Sequence, residues 1–121
     1  MPKDTIHTDE APKAIGPYAQ ATRAGGFVLT SGHFVDGDAR VQIRRVLDNI
    51  AAVLRDAGAF VTDIAKTTVF VTDLADFAAM NEVYGEFFGA HRPARSTVQV
   101  AALPGGAKVE IEAWAHVPTH R

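Results

Sequence analysis

Residues 93–115 read PARSTVQVAALPGGAKVEIEAWA and contain two alternating stretches on either side of a turn. In both stretches the side chains alternate with a period of two, which is typical of strands in a sheet. The intervening LPGGAK is rich in turn-forming residues, so we expect a hairpin that makes the last two strands neighbours. We predict these strands at residues 96–101 and 108–116.

Two charged residues of this segment are expected near the interior of the sheet. Arg95 adjoins the first strand, and its guanidinium keeps its charge, so it needs an acidic partner or an anionic ligand. Glu110 and Glu112 share a face of the last strand with Trp114, and buried carboxylates need cationic or polar partners. The predicted hairpin lets Arg95 and Glu110 approach one end of the sheet. The pattern leaves two interpretations open, a structural ion pair across a subunit contact or a ligand site.

Two other segments follow the period of an amphipathic helix. Residues 40–57 place apolar side chains at three- and four-residue steps, and Gly58 provides a stop. Residues 76–88 carry an apolar, mostly aromatic stripe, with Asp76 as the predicted cap and Gly89 near the end. The members of this stripe, which we assign to the core, are Phe77, Met80, Tyr84, Phe87 and Phe88.

Four further strands complete the predicted sheet. We expect them near residues 5–7, 18–23, 27–31 and 64–74, with a hairpin turn at residues 24–26. The resulting order, β-β-β-α-β-α-β-β, predicts one α+β domain that spans the whole chain. Its mixed six-stranded sheet carries both helices on one face.

The central strand predicts association with another chain. Between residues 66 and 72, both alternating sets of side chains contain threonine together with valine or phenylalanine. Neither face of this strand is polar enough to lie in water. Because two helices cover only one face of a sheet, we expect the other face to pack against a second copy of the chain.

Composition and charge restrict the classes of function. The 121 residues fit one domain, and the absence of cysteine excludes disulfides and thiolate metal sites. A net charge of −2 without a Lys/Arg cluster argues against nucleic acid as a partner. Since no segment resembles a signal peptide or a membrane span, we expect no membrane partner and a cytoplasmic location.

The residue types that bind metals do not form a recognisable motif. None of the five histidines is spaced as in HxH or HExxH, so we interpret them as surface or packing residues. They are His7, His33, His91, His116 and His120. The DGD at residues 36–38 lacks the downstream ligands of a calcium loop, and Ser31 is not in a GxSxG motif. We therefore expect no metal and no cofactor.

Five motifs occur together along the chain. They are IGPYAQA (15–21), TSGH (30–33), VLDNIAAVL (46–54), DIAKTTVFVTDLADFAAMNEVYGEFF (63–88) and the segment 93–115. Together they resemble the RidA/YjgF family of reactive-intermediate deaminases over nearly the whole chain. The resemblance implies a chorismate-mutase-like homotrimer with three clefts between subunits. It also implies hydrolysis of enamine and imine acids, such as 2-aminoacrylate and 2-iminopropionate, to 2-keto acids and ammonia.

The same resemblance implies the residues of the cleft. Arg95, in the PARS motif, would bind the carboxylate of the substrate, and Glu110 would position or activate the attacking water. The other residues implied to line the cleft are Tyr18, Ser31, Gly32, Asn81 and Thr97. Tyr18 and Arg95 are expected to come from different subunits.

The chain departs from the family pattern near the cleft. Thr97 stands where the family often has cysteine, Trp114 where an aliphatic residue is usual, and the loops 32–40 and 89–93 look shorter. The preferred imine is not specified by the sequence. Two rival functions are a non-catalytic module that binds small carboxylates and an endoribonuclease, as attributed to some relatives. The near-neutral charge and the lack of a histidine pair count against RNA cleavage.

Overall fold

The computed structural model describes residues 4–33 and 38–117 and has the predicted element order. Its strands are β1 (Asp4–Ile6), β2 (Ala21–Ala24), β3 (Phe27–Thr30), β4 (Ile64–Val71), β5 (Ala94–Gln99) and β6 (Val109–His116). Its helices are α1 (Ala39–Asp56) and α2 (Phe77–Phe88). The loop predicted at residues 36–38 falls mostly outside the described residues, and so does His120.

The six strands form one mixed sheet in the order β1-β2-β3-β6-β4-β5. The predicted hairpin between the last two strands is therefore wrong, because β4 lies between them. β5 runs parallel to β4, with Thr67 opposite Arg95, whereas β6 runs antiparallel to it, with Phe70 opposite Glu110. α2 connects β4 to β5, and a strand–helix–strand crossover produces a parallel pair. The LPGGAK segment contains a short 3-10 turn, Pro104–Gly106, and connects β5 on one side of β4 to β6 on the other side.

α1 begins and ends close to the predicted positions. The side chain of Asp38 accepts a hydrogen bond from the Val41 amide at 3.1 Å and caps the helix. Gly58 follows the last turn with a φ of 77°, and its amide donates to the Arg55 carbonyl at 3.0 Å. The predicted glycine stop is confirmed, since a left-handed residue at this position is tolerated best by glycine.

The start of α2 differs from the prediction in one detail. Asp76 lies at the N-cap position, but its side chain makes no capping hydrogen bond there. A 3-10 turn, Leu74–Asp76, precedes the helix, and Asp73 caps that turn by accepting from the Ala75 amide at 2.8 Å. The helix ends at Gly89, as predicted. No helix of the described chain is long and apolar enough to cross a bilayer.

The core lies between the two helices and one face of the sheet. Val69 of β4 and Ile111 of β6 are fully buried there, in one cluster with Leu47 of α1 and Met80 of α2. The alternation predicted for the central and last strands is confirmed. The two helices and the core consequently occupy the same face of the sheet, as expected.

One buried glutamine fixes α1 to the beginning of β6. Gln42 is 2% exposed, and its Oε1 accepts hydrogen bonds from the amides of Lys108 at 2.8 Å and Val109 at 3.2 Å. These bonds satisfy two backbone donors at the point where β6 enters the sheet. They therefore help to set the position of Glu110, the next residue of the strand.

The opposite, open face of the sheet carries large apolar side chains. Phe27, Val98 and Trp114 are between 41% and 48% exposed. The rings of Phe27 and Trp114 pack edge to face with 6.4 Å between their centroids. Exposed apolar side chains grouped on a sheet face without helices are typical of a surface that associates.

Candidate functional site

Arg95 lies on the helix-covered face of β5, next to α2. It pairs with Thr67, whose side chain is buried in the core, so both side chains point to the same face. The guanidinium carbon lies 4.9 Å from the ring centroid of Tyr84 and 5.6 Å from that of Phe77. Among the described residues, the guanidinium forms no ion pair. The two aromatic rings therefore stabilise the guanidinium by cation–π contact without neutralising its charge.

The aromatic stripe of α2 builds this position. Phe77 and Tyr84 are seven residues apart and so lie on one side of the helix. A 2.6 Å hydrogen bond between the Tyr84 hydroxyl and Thr67 Oγ1 fixes the tyrosine ring against β4. Our assignment of the stripe to the core is confirmed for Tyr84 and Phe88, which are buried. It is wrong for Phe77, which is 39% exposed and packs on Arg95.

A cleft opens beside this arginine, and we call it the arginine half-site. It has a volume of about 470 Å³, within the range usual for small-molecule sites. Its lining residues are Asn81, Tyr84, Gly85, Arg92, Pro93 and Arg95. Thr97 follows Arg95 by two residues on the same face of β5. Its Oγ1 is buried and has no hydrogen-bond partner within the described part of the chain.

Glu110 lies on the opposite, open face of the sheet, in contact with Gly32. An isolated bridge joins His33 to Ile111, with amide–carbonyl distances of 2.9 and 3.1 Å. The bridge brings the backbone of Gly32 against the glutamate side chain. A Cβ at Gly32 would lie 2.6 Å from Cδ of Glu110, closer than real Cβ contacts allow. A Cβ at position 32 would therefore push the end of the Glu110 side chain aside, and glycine avoids this displacement.

A second cleft, which we call the glutamate half-site, surrounds this carboxylate. Its lining residues are Ile15, Tyr18, Ser31, Gly32, Pro104, Gly105 and Glu110. The Tyr18 hydroxyl accepts a hydrogen bond from the Ile15 amide at 3.0 Å, which orients the ring across the cleft. Ser31 Oγ donates to the Ala19 carbonyl at 2.5 Å. Both hydroxyls are therefore held in place, and each keeps further hydrogen-bonding capacity.

The electrostatic environment of the glutamate half-site favours a proton on its carboxyl group. Burial raises the pKa of Glu110 above its usual value, and the neighbouring charge of Glu112 raises that pKa further. A carboxylate with a raised pKa is a stronger base than an exposed one. It is therefore suited to accept a proton from a nearby water.

The structure divides the predicted site residues into two groups. Tyr18, Ser31, Gly32 and Glu110 come together in the glutamate half-site. Asn81 and Arg95 come together in the arginine half-site, with Thr97 further along the same strand face. The prediction that Arg95 and Glu110 approach each other within one sheet is wrong. They lie on opposite faces, because Thr67 and Phe70, their partners on β4, point in opposite directions.

Sequence reasoning missed several residues near these clefts. Tyr84 and Phe77 were assigned only to the core, although their seven-residue spacing places both rings on one side of α2. Arg92 lines the arginine half-site and was given no role. The interpretation of His33 as one of the surface or packing histidines is confirmed, because it is a packing residue. It is only 7% exposed, burial lowers its pKa, and its Nε2 has no hydrogen-bond partner in the described chain.

A metal site is not apparent in the part of the chain that the structure describes. Within residues 4–33 and 38–117, no three His, Cys, Asp or Glu side chains are grouped so as to hold a metal ion. The donor groups of the two half-sites are instead those that bind an organic anion and a water: a guanidinium, hydroxyls, an amide and a carboxylate.

Comparison with known proteins places this arrangement in a family. A family model described as Endoribonuclease L-PSP matches residues 8–117. The 2-iminobutanoate/2-iminopropanoate deaminase of Escherichia coli is 48% identical over 122 residues, which cover 92% of this chain and 95% of the relative. The crystal structure of Escherichia coli TdcF with bound serine has a TM-score of 0.91 and 46% identity, and the match covers 95% of this chain and 99% of that one.

A third relative agrees with these two. The crystal structure of the Escherichia coli YjgF gene product has a TM-score of 0.89 and 48% identity, and the match covers 93% of this chain and 98% of that chain. Fold, element order and sequence therefore point to the same group of proteins. The chain belongs to the RidA/YjgF family.

Proposed function

We propose that the chain is a deaminase that hydrolyses 2-imino acids of the 2-iminopropionate type, and their enamine tautomers, to 2-keto acids and ammonia. The observation that carries this proposal is that the charge of Arg95 is not neutralised by an acidic side chain of the described residues. Its guanidinium lies on the rings of Phe77 and Tyr84 and has no acidic partner among the described residues. Apart from a 3.8 Å contact of Nη1 with Met80 Sδ, its N–H groups are available for two parallel charge-assisted bonds to a substrate carboxylate.

We further propose that the working enzyme is a homotrimer with its sites between subunits. In one protomer, Arg95 and Glu110 lie on opposite faces of the same sheet and cannot act on one small substrate. A second protomer that packs against the open face can bring its own arginine half-site to this glutamate half-site. Burial of Phe27, Val98 and Trp114 would favour such packing. The number three comes from the family resemblance.

The proposed reaction follows from the two half-sites. Arg95 binds the carboxylate, and Glu110 takes a proton from a water whose oxygen attacks C2 of the imine. The electron pair of the C=N bond moves to nitrogen, which takes the proton back from Glu110 and so gives a tetrahedral carbinolamine. The nitrogen is then protonated and leaves as ammonia, while the hydroxyl loses its proton to form the keto group. Because an imine carbon is electrophilic by itself, this route involves no cofactor.

The remaining polar groups would orient the substrate and the water. Tyr18 and Ser31 present fixed hydroxyls beside Glu110. Asn81 lines the cleft of Arg95, and Thr97 Oγ1 has an unused hydrogen-bonding capacity nearby. Positioning of this kind can supply several kcal/mol of a reaction barrier. One general base adds typically about 10²- to 10⁴-fold.

RNA cleavage is the second candidate, because the matching family model is described as an endoribonuclease. Cleavage of RNA by acid–base chemistry needs groups that give and take protons on both sides of the phosphate. The histidine beside the glutamate half-site, His33, is buried, and His91 is held by the Ile64 carbonyl through a 2.9 Å contact of its Nε2. The described residues thus offer RNA cleavage less support than imine hydrolysis.

A coupled assay tests the proposal. A flavin-dependent amino-acid oxidase generates the imine of alanine in the presence of semicarbazide, which traps the imine as an absorbing semicarbazone. Addition of this protein should lower the rate of semicarbazone formation and raise the rate at which free pyruvate appears. Binding of pyruvate without faster imine loss would instead support a non-catalytic carboxylate-binding module. Cleavage of a labelled single-stranded RNA, abolished in Glu110→Gln, would support the endoribonuclease.

A further inference from the structure

The arginine half-site contains a second guanidinium. Arg92 lines the same cleft as Arg95, with Pro93 between them in the chain. The side chain of Arg92 is exposed, whereas that of Arg95 is partly buried under the helix. Two permanent positive charges therefore face one cleft of about 470 Å³.

Both charges act on Tyr84, which lines the same cleft. Burial raises the pKa of this tyrosine, while its hydrogen bond with Thr67 and the charges of Arg95 and Arg92 act in the opposite direction. Tyr84 and both arginines line the same cleft, and the Arg95 guanidinium carbon lies 4.9 Å from the centroid of the tyrosine ring. A ligand bound beside Tyr84 lies within reach of either positive charge.

Neither charge is neutralised within the described part of the chain. The ion pairs there involve other residues, and the lining of the arginine half-site contains no carboxylate. Arg92 Nη1 contacts the Gly85 carbonyl at 3.5 Å, a long distance for a hydrogen bond. Two like charges in one cleft repel each other, and a ligand with two negative groups relieves that repulsion better than a ligand with one.

We propose that Arg92 is a specificity-determining residue that selects imines of acidic amino acids, whose side chain carries a second carboxylate. This inference rests on the proposed function, because it assigns the α-carboxylate to Arg95 and the side-chain carboxylate to Arg92. Guanidinium groups bind carboxylates through paired charge-assisted hydrogen bonds, so each arginine can hold one. The reaction itself is unchanged: water adds at C2, the C–N bond breaks, and a 2-oxo dicarboxylate and ammonia are released.

The test compares two substrates in the same coupled assay. Amino-acid oxidases produce the imine of aspartate and the imine of alanine, and kcat/KM is measured for each. The variants are Arg92→Ala, Arg92→Lys and a control, Arg45→Ala, which removes the same charge from α1, outside both half-sites. We expect Arg92→Ala to lower the ratio of the aspartate-imine to the alanine-imine value by about 10- to 100-fold. Arg92→Lys should restore part of the ratio, and Arg45→Ala should leave it as in the wild type.

Each outcome decides one question. If the wild-type protein hydrolyses both imines and Arg92→Ala leaves the ratio unchanged, the role of Arg92 is overturned and the proposed function stands. An equal fall of the ratio in Arg45→Ala also overturns it, because the effect would then depend on net charge. If the wild-type protein hydrolyses neither imine, the proposed function fails and the inference with it. Calorimetric binding of oxaloacetate and pyruvate gives a second readout, in which only oxaloacetate should bind more weakly to Arg92→Ala.

Discussion

Gly32 and Glu110 are in such close contact that any Cβ at position 32 would displace the glutamate side chain. The TSGH segment lies against β6 through the His33–Ile111 bridge, and a Cβ at Gly32 would come within 2.6 Å of Cδ of Glu110. The side chain of the glutamate would have to move, because the bridged backbone cannot. The structure thus couples a glycine of one motif to the proposed base of another.

This contact gives a prediction for Gly32→Ala. The added methyl group should displace the Glu110 carboxylate by roughly an ångström, and kcat for imine hydrolysis should fall about 10- to 100-fold. Gly26→Ala is the matched control, since a Cβ there meets His116 at an ordinary 3.4 Å. The measurement is kcat in the coupled assay, with circular dichroism to confirm that both variants fold. Wild-type kcat in a folded Gly32→Ala would contradict the account.

Arg95→Lys tests the role of the guanidinium. The ammonium keeps the charge but cannot form two parallel bonds to a carboxylate, so kcat/KM should fall by about 10- to 150-fold. The melting temperature should change little, because Arg95 forms no ion pair with another described residue. If the arginine is instead a structural partner across a subunit contact, the variant should lose stability. Its remaining activity should then follow the folded fraction.

Glu112→Gln should shift the pH dependence of the reaction. A raised pKa means that Glu110 keeps its proton up to a higher pH than the ordinary 4.5 of glutamate. As the pH falls through this pKa the base is protonated, and kcat/KM should decline. Removing the charge of Glu112 removes one cause of the shift, so the pKa of Glu110 should drop and the decline should move to lower pH.

The pH profile of kcat/KM provides the measurement for this shift. Asp56→Asn, which removes an exposed carboxylate from α1, should leave the profile as in the wild type. An unchanged profile in Glu112→Gln would show that Glu112 does not act on the group that limits the reaction. A decline that moved to higher pH would contradict the assignment of Glu110 as the base.

Gln42→Leu should destabilise the protein, although Gln42 lines neither half-site. The change leaves the amides of Lys108 and Val109 without their side-chain acceptor at the start of β6. A buried donor without a partner costs about 1–3 kcal/mol, and two amides are affected here. Urea denaturation measures the loss in the free energy of unfolding. A variant as stable as the wild type would show that water or a shifted side chain replaces the glutamine.

The periodicity of the sequence was sufficient to predict the order of helices and strands, but not to predict which strands pair in the sheet. The apolar steps in residues 40–57 predicted α1 within one residue at each end, because helix period and glycine stop are local properties. The LPGGAK turn, also local, was taken for a hairpin. A turn shows that the chain changes direction, but not which strand lies beside it. The β4–α2–β5 order contained the correct signal, since such crossovers give parallel neighbours.

The same limit applies to the candidate site. The resemblance named Arg95 and Glu110. Alternation along the last strand correctly separated Glu110 from the apolar face under the helices, but the face of Arg95 depends on the register of β5 with β4, which alternation within β5 does not supply. Thr67 and Phe70 were correctly placed on opposite faces of β4. This placement shows the faces of Arg95 and Glu110 only once the pairing of β4 with β5 and β6 is known. The contribution of Phe77 to the arginine half-site depends on how α2 packs over β5, a tertiary contact without a local signature.

The central claim is that each active site combines the arginine half-site of one protomer with the glutamate half-site of another. Mixing two inactive variants, Arg95→Ala and Glu110→Gln, tests it most directly. In a cyclic trimer with random exchange, about a quarter of the interfaces pair an intact arginine with an intact glutamate. An equimolar mixture, unfolded and refolded together, should therefore regain about a quarter of the wild-type imine-hydrolysing activity, whereas each variant refolded alone stays inactive. Recovery of no activity in mixed oligomers of confirmed composition would contradict the account, because a site within one chain is damaged in every protomer.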